Sequence, residues 1–242
     1  MKKLVIEGLK KNFGKKEVLK DINFTFEEGK IYGLLGRNGA GKTTLFNCLN
    51  EDLDIDGGKF YLLDNKKEKK IESQDIGYVL STPVVPEFLT GREFLKFFID
   101  INKDNIKDLK EIDEYFDLVK IDMNDRDKLM RDYSHGMKNK LQMLVYIIAS
   151  PEILLLDEPL TSFDVVVAEE MKELLRKIKE EHILIFSTHI MELALDLCDE
   201  IVVLNKGVLE HVSKDNLSNK DFKKKIIDIL KGEENGHDKE VS

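Results

Sequence analysis

Between residues 3 and 32 apolar and polar positions alternate. Leu4 and Ile6 are followed by Val18, Ile22, Phe24 and Phe26, with turn-forming runs at Asn12–Lys16 and Glu27–Lys30. A period of two puts every second side chain on one face, so this stretch predicts an antiparallel β region. The pattern then changes to Ile31-Tyr32-Gly33-Leu34-Leu35, a continuous apolar run suited to a strand buried on both faces. Leu45, Phe46 and Leu49 follow at helical spacing. Gly57-Gly58 marks a turn into a predicted strand Lys59–Leu62, and Ile76-Gly77-Tyr78-Val79-Leu80 predicts another that ends at Ser81.

Pro83 and Pro86 punctuate the next loop, and from Thr90 to Ser150 the period is helical. Phe94, Phe97, Phe98 and Ile101 recur on one predicted face, as do Ile112, Tyr115, Phe116 and Val119. Beyond Gly136 the apolar face is Met137, Leu141, Leu144, Val145 and Ile148, and this helix should stop at Ser150, because Pro151 disfavours helical backbone in the residue before it. Residues 82–150 therefore read as an all-helical insert. Ile153–Leu156 is again a fully apolar strand; a helix from Asp164 buries Val167, Met171, Leu174, Leu175 and Ile178. Strand His182–Phe186, helix Ile190–Cys198 and strand Ile201–Leu204 complete an alternation that calls for a mostly parallel sheet. The expected chain is α/β: a core of residues 1–81 and 151–215, the helical insert 82–150, and a C-terminal helix and polar tail over 216–242.

Composition narrows the class. With 242 residues, 42% hydrophobic and 35% charged, the chain can bury a substantial core. No apolar run approaches the roughly 20 residues that span a bilayer, and no apolar stretch of a secretory leader follows Met1-Lys2-Lys3. The expectation is a cytoplasmic protein. A net charge of −9 argues against general affinity for nucleic acid. The lysine clusters at 66–70 and 223–225 have acidic neighbours and read as solvated surface. Cys48 and Cys198, isolated from one another, read as small buried hydrophobes.

The candidate chemistry begins at Gly36-Arg37-Asn38-Gly39-Ala40-Gly41-Lys42-Thr43-Thr44, placed between a buried strand and a helix. Glycines let such a loop curl so that several N–H groups face phosphate oxygens, and the helix start adds its positive dipole end. Lys42 can reach the β- and γ-phosphates, and the Thr43 hydroxyl can ligate Mg²⁺. The pattern predicts binding of a nucleoside triphosphate, with Gly36, Asn38, Gly39, Ala40, Gly41, Lys42, Thr43 and Thr44 as candidate contacts. Phe13, an aromatic on a polar loop, is a candidate for stacking on the base. Asp157-Glu158 follows a buried strand, where an α/β sheet presents its ligand groups. Asp157 suits Mg²⁺, and Glu158 suits activation of an attacking water. His189 ends another apolar strand, where it can donate to the γ-phosphate or to that water. Tyr133-Ser134-His135-Gly136-Met137 opens an amphipathic helix with a good N-cap, a second place where an anion is favoured.

In order and spacing, these elements resemble the ATP-binding subunit of an ATP-binding cassette (ABC) transporter, from about residue 3 to about residue 212. Gly36–Thr44 resembles the Walker A motif, Ile153–Glu158 the Walker B motif with its catalytic glutamate, and Tyr133–Met137 the signature sequence. Thr161-Ser162-Phe163-Asp164 resembles the D-loop, His189 the switch histidine and Phe13 the adenine-stacking aromatic. Two departures stand out. His135 and Met137 replace a glycine and a glutamine of the usual signature, as in ATPases of the small two-component, ABC-2-like exporters. Ser81 stands where the family has the glutamine of its Q-loop, a candidate metal contact. The resemblance implies a P-loop NTPase core, ATP and Mg²⁺ as cofactors, and Lys42, Glu158 and His189 as catalytic groups. It further implies a head-to-tail dimer that sandwiches two ATP molecules, each between Gly36–Thr44 of one subunit and Ser134–Gly136 of the other, with Asp164 a further nucleotide contact. Hydrolysis would then drive a separate membrane permease docked at the loop after Ser81, with export the favoured direction and the subunit held at the inner face of the membrane. The competing reading is a soluble ABC ATPase acting on nucleic acid or ribosomes. The absence of sustained heptads between residues 44 and 133, the single cassette and the acidic charge all count against it.

Overall fold

The computed structural model describes residues 1–106, 108–160, 163–212, 224, 226 and 227. The alternating N-terminal region forms β1 (Lys2–Phe13) and β2 (Lys16–Glu27), antiparallel, with Leu4 opposite Phe26 and Ile6 opposite Phe24. Gly8, at φ +62°, sits at an irregularity that moves the buried set from Leu4 and Ile6 to Leu9, which faces Ile22. A bulge of this kind shifts the alternation by one residue. The first buried parallel strand, β3 (Lys30–Leu35), leads into α1 (Lys42–Leu49). Then β4 (Gly57–Asp64) pairs with the free side of β1, and β5 (Lys67–Lys69) adds a short exposed edge, giving the order β2-β1-β4-β5. The lysine cluster at 66–70 is therefore solvated, as expected, but part of it is a strand; charged short edges resist pairing with other chains.

The second sheet carries the site. It comprises β3, β6 (Ile76–Val79), β7 (Ile153–Asp157), β8 (Ile183–Thr188), β9 (Glu200–Asn205) and β10 (Val208–Val212), in the order β10-β9-β3-β8-β7-β6. All neighbours run parallel except β9 and β10. That last strand, not among those anticipated, forms a hairpin through Lys206 (φ +49°) and Gly207 (φ +84°). Two central turn residues with positive φ are the signature of the tight type I′ hairpin, whose twist matches that of paired strands.

Each inner strand sends alternate residues into two cores. Tyr32, Leu34, Ile153, Leu155, Ile183 and Ile185 meet α1 and the antiparallel sheet, with Leu4, Phe26, Leu45 and Phe46. Ile31, Leu35, Leu154, Leu156, Leu184 and Phe186 face the other helices. These helices are α2 (Gly91–Asn102), α3 (Ile112–Leu118), α4 (His135–Ala149), α5 (Val165–Ile178) and α6 (Met191–Leu197). Residues of the insert, including Leu95, Phe116, Leu141 and Leu144, belong to this same cluster, so the helical region packs continuously onto the sheet.

The insert departs from expectation in two respects. Its described residues form three α-helices, but the chain between α3 and α4 is made of turns and one 3₁₀ turn, and a bridge joins Thr90 to Leu129. In α2 the buried apolar side chains are Leu95 and Ile99, whereas Phe97 and Ile101 are 59% and 64% exposed. The apolar stripe on α2 is wider than the strip that α4 and α3 cover. Cys48 and Cys198 are both buried, as read from sequence, and burial pushes the Cys48 thiol up to about 11. The expected C-terminal helix and tail lie outside the described residues, apart from Lys224, Ile226 and Ile227.

Candidate nucleotide-binding site

The site sits at the carboxyl ends of β3, β7 and β8, where parallel strands release their loops. Between β3 and α1 the chain curls through Gly39 (φ +79°) and Gly41 (φ +109°). Gly41 tolerates no larger residue, since its backbone is left-handed and a Cβ would come within 3.0 Å of the Val18 side chain. Gly41 is also the N-cap of α1, and no side chain among the described residues caps this helix. Its first N–H groups are left for a ligand, with the positive end of the helix dipole behind them.

Lys42 is buried, and its Nζ donates to the Gly36 carbonyl at 2.8 Å and to the Arg37 carbonyl at 3.4 Å. The same Nζ lies 3.4 Å from Glu158 Oε1. The ammonium thus bridges its own loop and the carboxylate that follows β7. Thr43 Oγ1 donates to Asp157 Oδ2 at 2.7 Å, and Ser187 Oγ donates to Asp157 Oδ1 at 2.5 Å. The Glu158 N–H donates to both the carbonyl oxygen (3.2 Å) and the hydroxyl (3.1 Å) of Ser187. Ser187, fully buried on β8, ties the two acidic residues to one neighbour. Sequence reasoning placed this serine at a strand end but missed that role; the available signal was a hydroxyl two residues before His189, directly after the apolar run Ile183–Phe186.

Glu158 adopts φ +51°, a left-handed conformation that a residue with a Cβ enters at a cost. His189 Nδ1 lies 3.0 Å from both oxygens of that carboxylate, which accept the hydrogen bond when Nδ1 carries the proton. Glu158 is held between a lysine on one side and an imidazole on the other.

These groups surround a cavity of about 440 Å³ lined by Phe13, Lys16, Val18, Asn38, Gly39, Gly41, Lys42, Thr43, Thr44, Ser81, Asp157 and Glu158. That size suits a small-molecule ligand. Phe13 is half exposed, with Lys11 Nζ 5.5 Å from its ring centroid. Lys16 and Val18 were not anticipated. Lys16 pairs with Phe13 across the β1–β2 turn, so a cation stands beside the aromatic. Gly36 and Ala40 do not line the cavity; a Cβ on Gly36 would meet Ala40 Cβ at 3.3 Å and Lys42 Cγ at 3.4 Å, so its smallness lets the loop fold over Lys42.

Thr43 and Asp157 offer hard oxygen donors side by side. Mg²⁺ in nucleotide sites takes one or two such ligands and completes its shell with phosphate and water, so this pair fits the ion. Among the described residues no group of three or more His, Cys, Asp or Glu could hold a metal unaided.

The remaining candidates lie away from the cavity. Ser134 is exposed, and its Oγ accepts from the Met137 N–H at 3.1 Å as the N-cap of α4. His135 is exposed and Gly136 half-buried, where a Cβ would approach the Phe163 ring at 3.7 Å. Asp164 caps α5, accepting from Val166 N–H at 2.9 Å and Val167 N–H at 3.0 Å. Thr161 and Ser162 lie outside the described residues. No helix among those described is long and apolar enough to cross a membrane.

The family model described as ABC transporter matches residues 19–161. A bacitracin transport ATP-binding protein, BcrA of Enterococcus faecalis, is 30% identical over 231 residues, covering 93% of this chain and 74% of that protein. The sulfate/thiosulfate import ATP-binding protein CysA of Synechococcus elongatus is 28% identical over 211 residues, covering 86% of this chain and 61% of that protein. In three dimensions the chain is similar to a solved ATP-binding subunit of an ABC transporter, with a TM-score of 0.76 at 20% identity, over 93% of this chain and 99% of that one.

Proposed function

This chain belongs to the ABC transporter ATP-binding family, and we propose that it binds Mg²⁺–ATP in the cavity above α1 and hydrolyses it as one half of a dimer. The phosphates would lie over the open start of α1, with Lys42 turning from the Gly36 carbonyl and Glu158 toward them. The Glu158 carboxylate would keep its contact with His189 and accept a proton from the attacking water. Thr43 and Asp157 would hold Mg²⁺, which would supply charge neutralisation at the phosphates.

One observation carries the dimer reading. The cavity collects the loop, Asp157 and Glu158, while the second anion-favouring helix start, at Ser134, faces solvent on the helical region. A partner turned head to tail would place its Ser134 and Gly136 over the open cavity, with Asp164 nearby. Glu158→Gln tests this: ATP binding should persist and a dimer should appear by size exclusion with ATP but not without it. A variant that stays monomeric in saturating ATP overturns the sandwich.

The dimer would power a separate membrane permease that docks on the loop after Ser81 and holds the subunit at the inner face of the membrane. In support, Val84 and Phe88 are 72% and 78% exposed, while Val85 and Leu89 anchor the loop in the core. Export is the direction we favour, on the resemblance of Tyr133–Met137 to exporter signatures. Relatives with this fold include an import protein by name, so transport measured with the permease decides it.

A further inference from the structure

Three buried side-chain atoms among those described lack a hydrogen-bond partner: Tyr78 Oη, Tyr133 Oη and Gln142 Oε1. Tyr133 and Gln142 belong to the helical region, but Tyr78 lies beneath the nucleotide cavity. Its residue is 7% exposed. On β6 it stands opposite Leu155 of β7 in parallel register, and Asp157, two residues further along β7, emerges on the same face as Leu155. The Tyr78 ring meets Phe46 edge-on, with centroids 5.9 Å apart. Phe46 lies one turn beyond Thr43 on α1, and Thr43 donates to Asp157. The ring is thus wedged where α1 crosses the sheet, on the side of the Asp157 carboxylate.

The Tyr78 hydroxyl is a buried donor whose nearest charged neighbour is the Asp157 carboxylate. A buried donor without an acceptor is costly, and phenylalanine would fill the same space without that cost. The carboxylate of Asp157, by contrast, has capacity beyond the hydroxyls of Thr43 and Ser187.

We propose that Tyr78 is a positioning residue for the metal–nucleotide complex, its hydroxyl donating to Asp157 and holding that carboxylate toward the cation. Partners behind a ligating carboxylate fix its orientation, and losing them weakens metal binding. The assignment rests on the nucleotide-binding reading above and adds to it a residue outside the cavity lining.

The test is Tyr78→Phe in the full chain, with two readouts. Calorimetry gives ATP affinity in EDTA, and electron paramagnetic resonance gives the affinity of the protein–ATP complex for Mn²⁺ as a stand-in for Mg²⁺. The expected result is unchanged ATP affinity in EDTA and Mn²⁺ affinity lowered about tenfold. Equal Mn²⁺ affinity in parent and variant overturns the proposal. So does a variant that loses ATP affinity in EDTA, because the ring would then be only a packing element of the loop. A parent chain that fails to bind ATP at all overturns instead the nucleotide reading on which the assignment rests.

Discussion

At the start of α1 the backbone N–H groups open into a cavity; at the start of α4 the Ser134 hydroxyl accepts from the Met137 N–H, and Ser134 and His135 face solvent. Both turns are electropositive by their dipoles, yet only the first is surrounded by groups with matching chemistry in its own chain. Lys42, Thr43, Asp157, Glu158 and His189 converge on α1, whereas α4 offers a neutral hydroxyl that already accepts one hydrogen bond and keeps its own proton to donate. The start of α5 extends the comparison: there the Asp164 carboxylate accepts two N–H groups, and its negative charge opposes direct contact with phosphate. An uncapped start in a cavity can bind a nucleotide alone, a hydroxyl-capped start on the surface can complete a site held elsewhere, and a carboxylate-capped start is closed to direct phosphate binding.

The sharpest way to break this contrast is Ser134→Arg. It should lower steady-state phosphate release by roughly a hundredfold or more, the scale of losing a donor aimed at developing charge. ATP affinity measured by calorimetry on the monomer should not change. Weaker monomer binding would put Ser134 in its own chain's site and dissolve the distinction between the two helix starts. Next in size is Lys42→Ala, which removes the mobile cation of the α1 site. Hydrogen bonds to charged groups contribute about 1.5–3 kcal/mol, so ATP affinity should fall roughly tenfold to a hundredfold. Unchanged affinity would remove Lys42 from the phosphates.

The α1 region was legible in the sequence because its chemistry is local. A buried strand, three glycines, Lys42 and Thr43 lie within a few positions of one another, and Asp157 and Glu158 follow a wholly apolar strand. Less was legible where the cause is tertiary. Phe97 and Ile101 repeat at helical spacing, but only the edge of α2 that rests on α3 and α4 is covered, and spacing cannot tell how wide that edge is. The roles of Ser187 and Lys16 depend on which strands end up adjacent: Ser187 lies opposite Asp157 across β7 and β8, and Lys16 opposite Phe13 across a turn. β10 escaped because Lys206 in a left-handed turn position is a weak signal next to Asn-Gly.

A smaller effect separates α5 from both other helix starts. Asp164→Ala should cost about 1 kcal/mol of stability in urea denaturation, since two N–H groups lose their acceptor. Asp164→Asn should cost only a few tenths, because asparagine caps as well as aspartate. Neither change should alter ATP affinity of the monomer. A drop in that affinity with Asp164→Asn would mean that the α5 start contacts its own chain's nucleotide after all.

The smallest expected effect concerns Ser81, which lines the cavity just beyond β6 where the family carries a glutamine. A glutamine amide reaches two heavy atoms further than a serine hydroxyl, far enough to touch the metal or the attacking water while its loop meets another protein. Serine reaches such groups only through a bridging water or after an inward movement of the loop. Removing so indirect a contact should cost no more than an ordinary surface change, so Ser81→Ala should alter basal hydrolysis by less than about threefold. Phe88→Ala should likewise leave basal hydrolysis intact and lower only the rate stimulated by the permease, because the Phe88 ring is exposed outside the cavity. The two variants are measured side by side, with and without the permease. If Ser81→Ala loses basal activity as severely as Glu158→Gln, the hydroxyl is a direct ligand in the α1 site, and that site extends onto β6 by more than the Tyr78 ring.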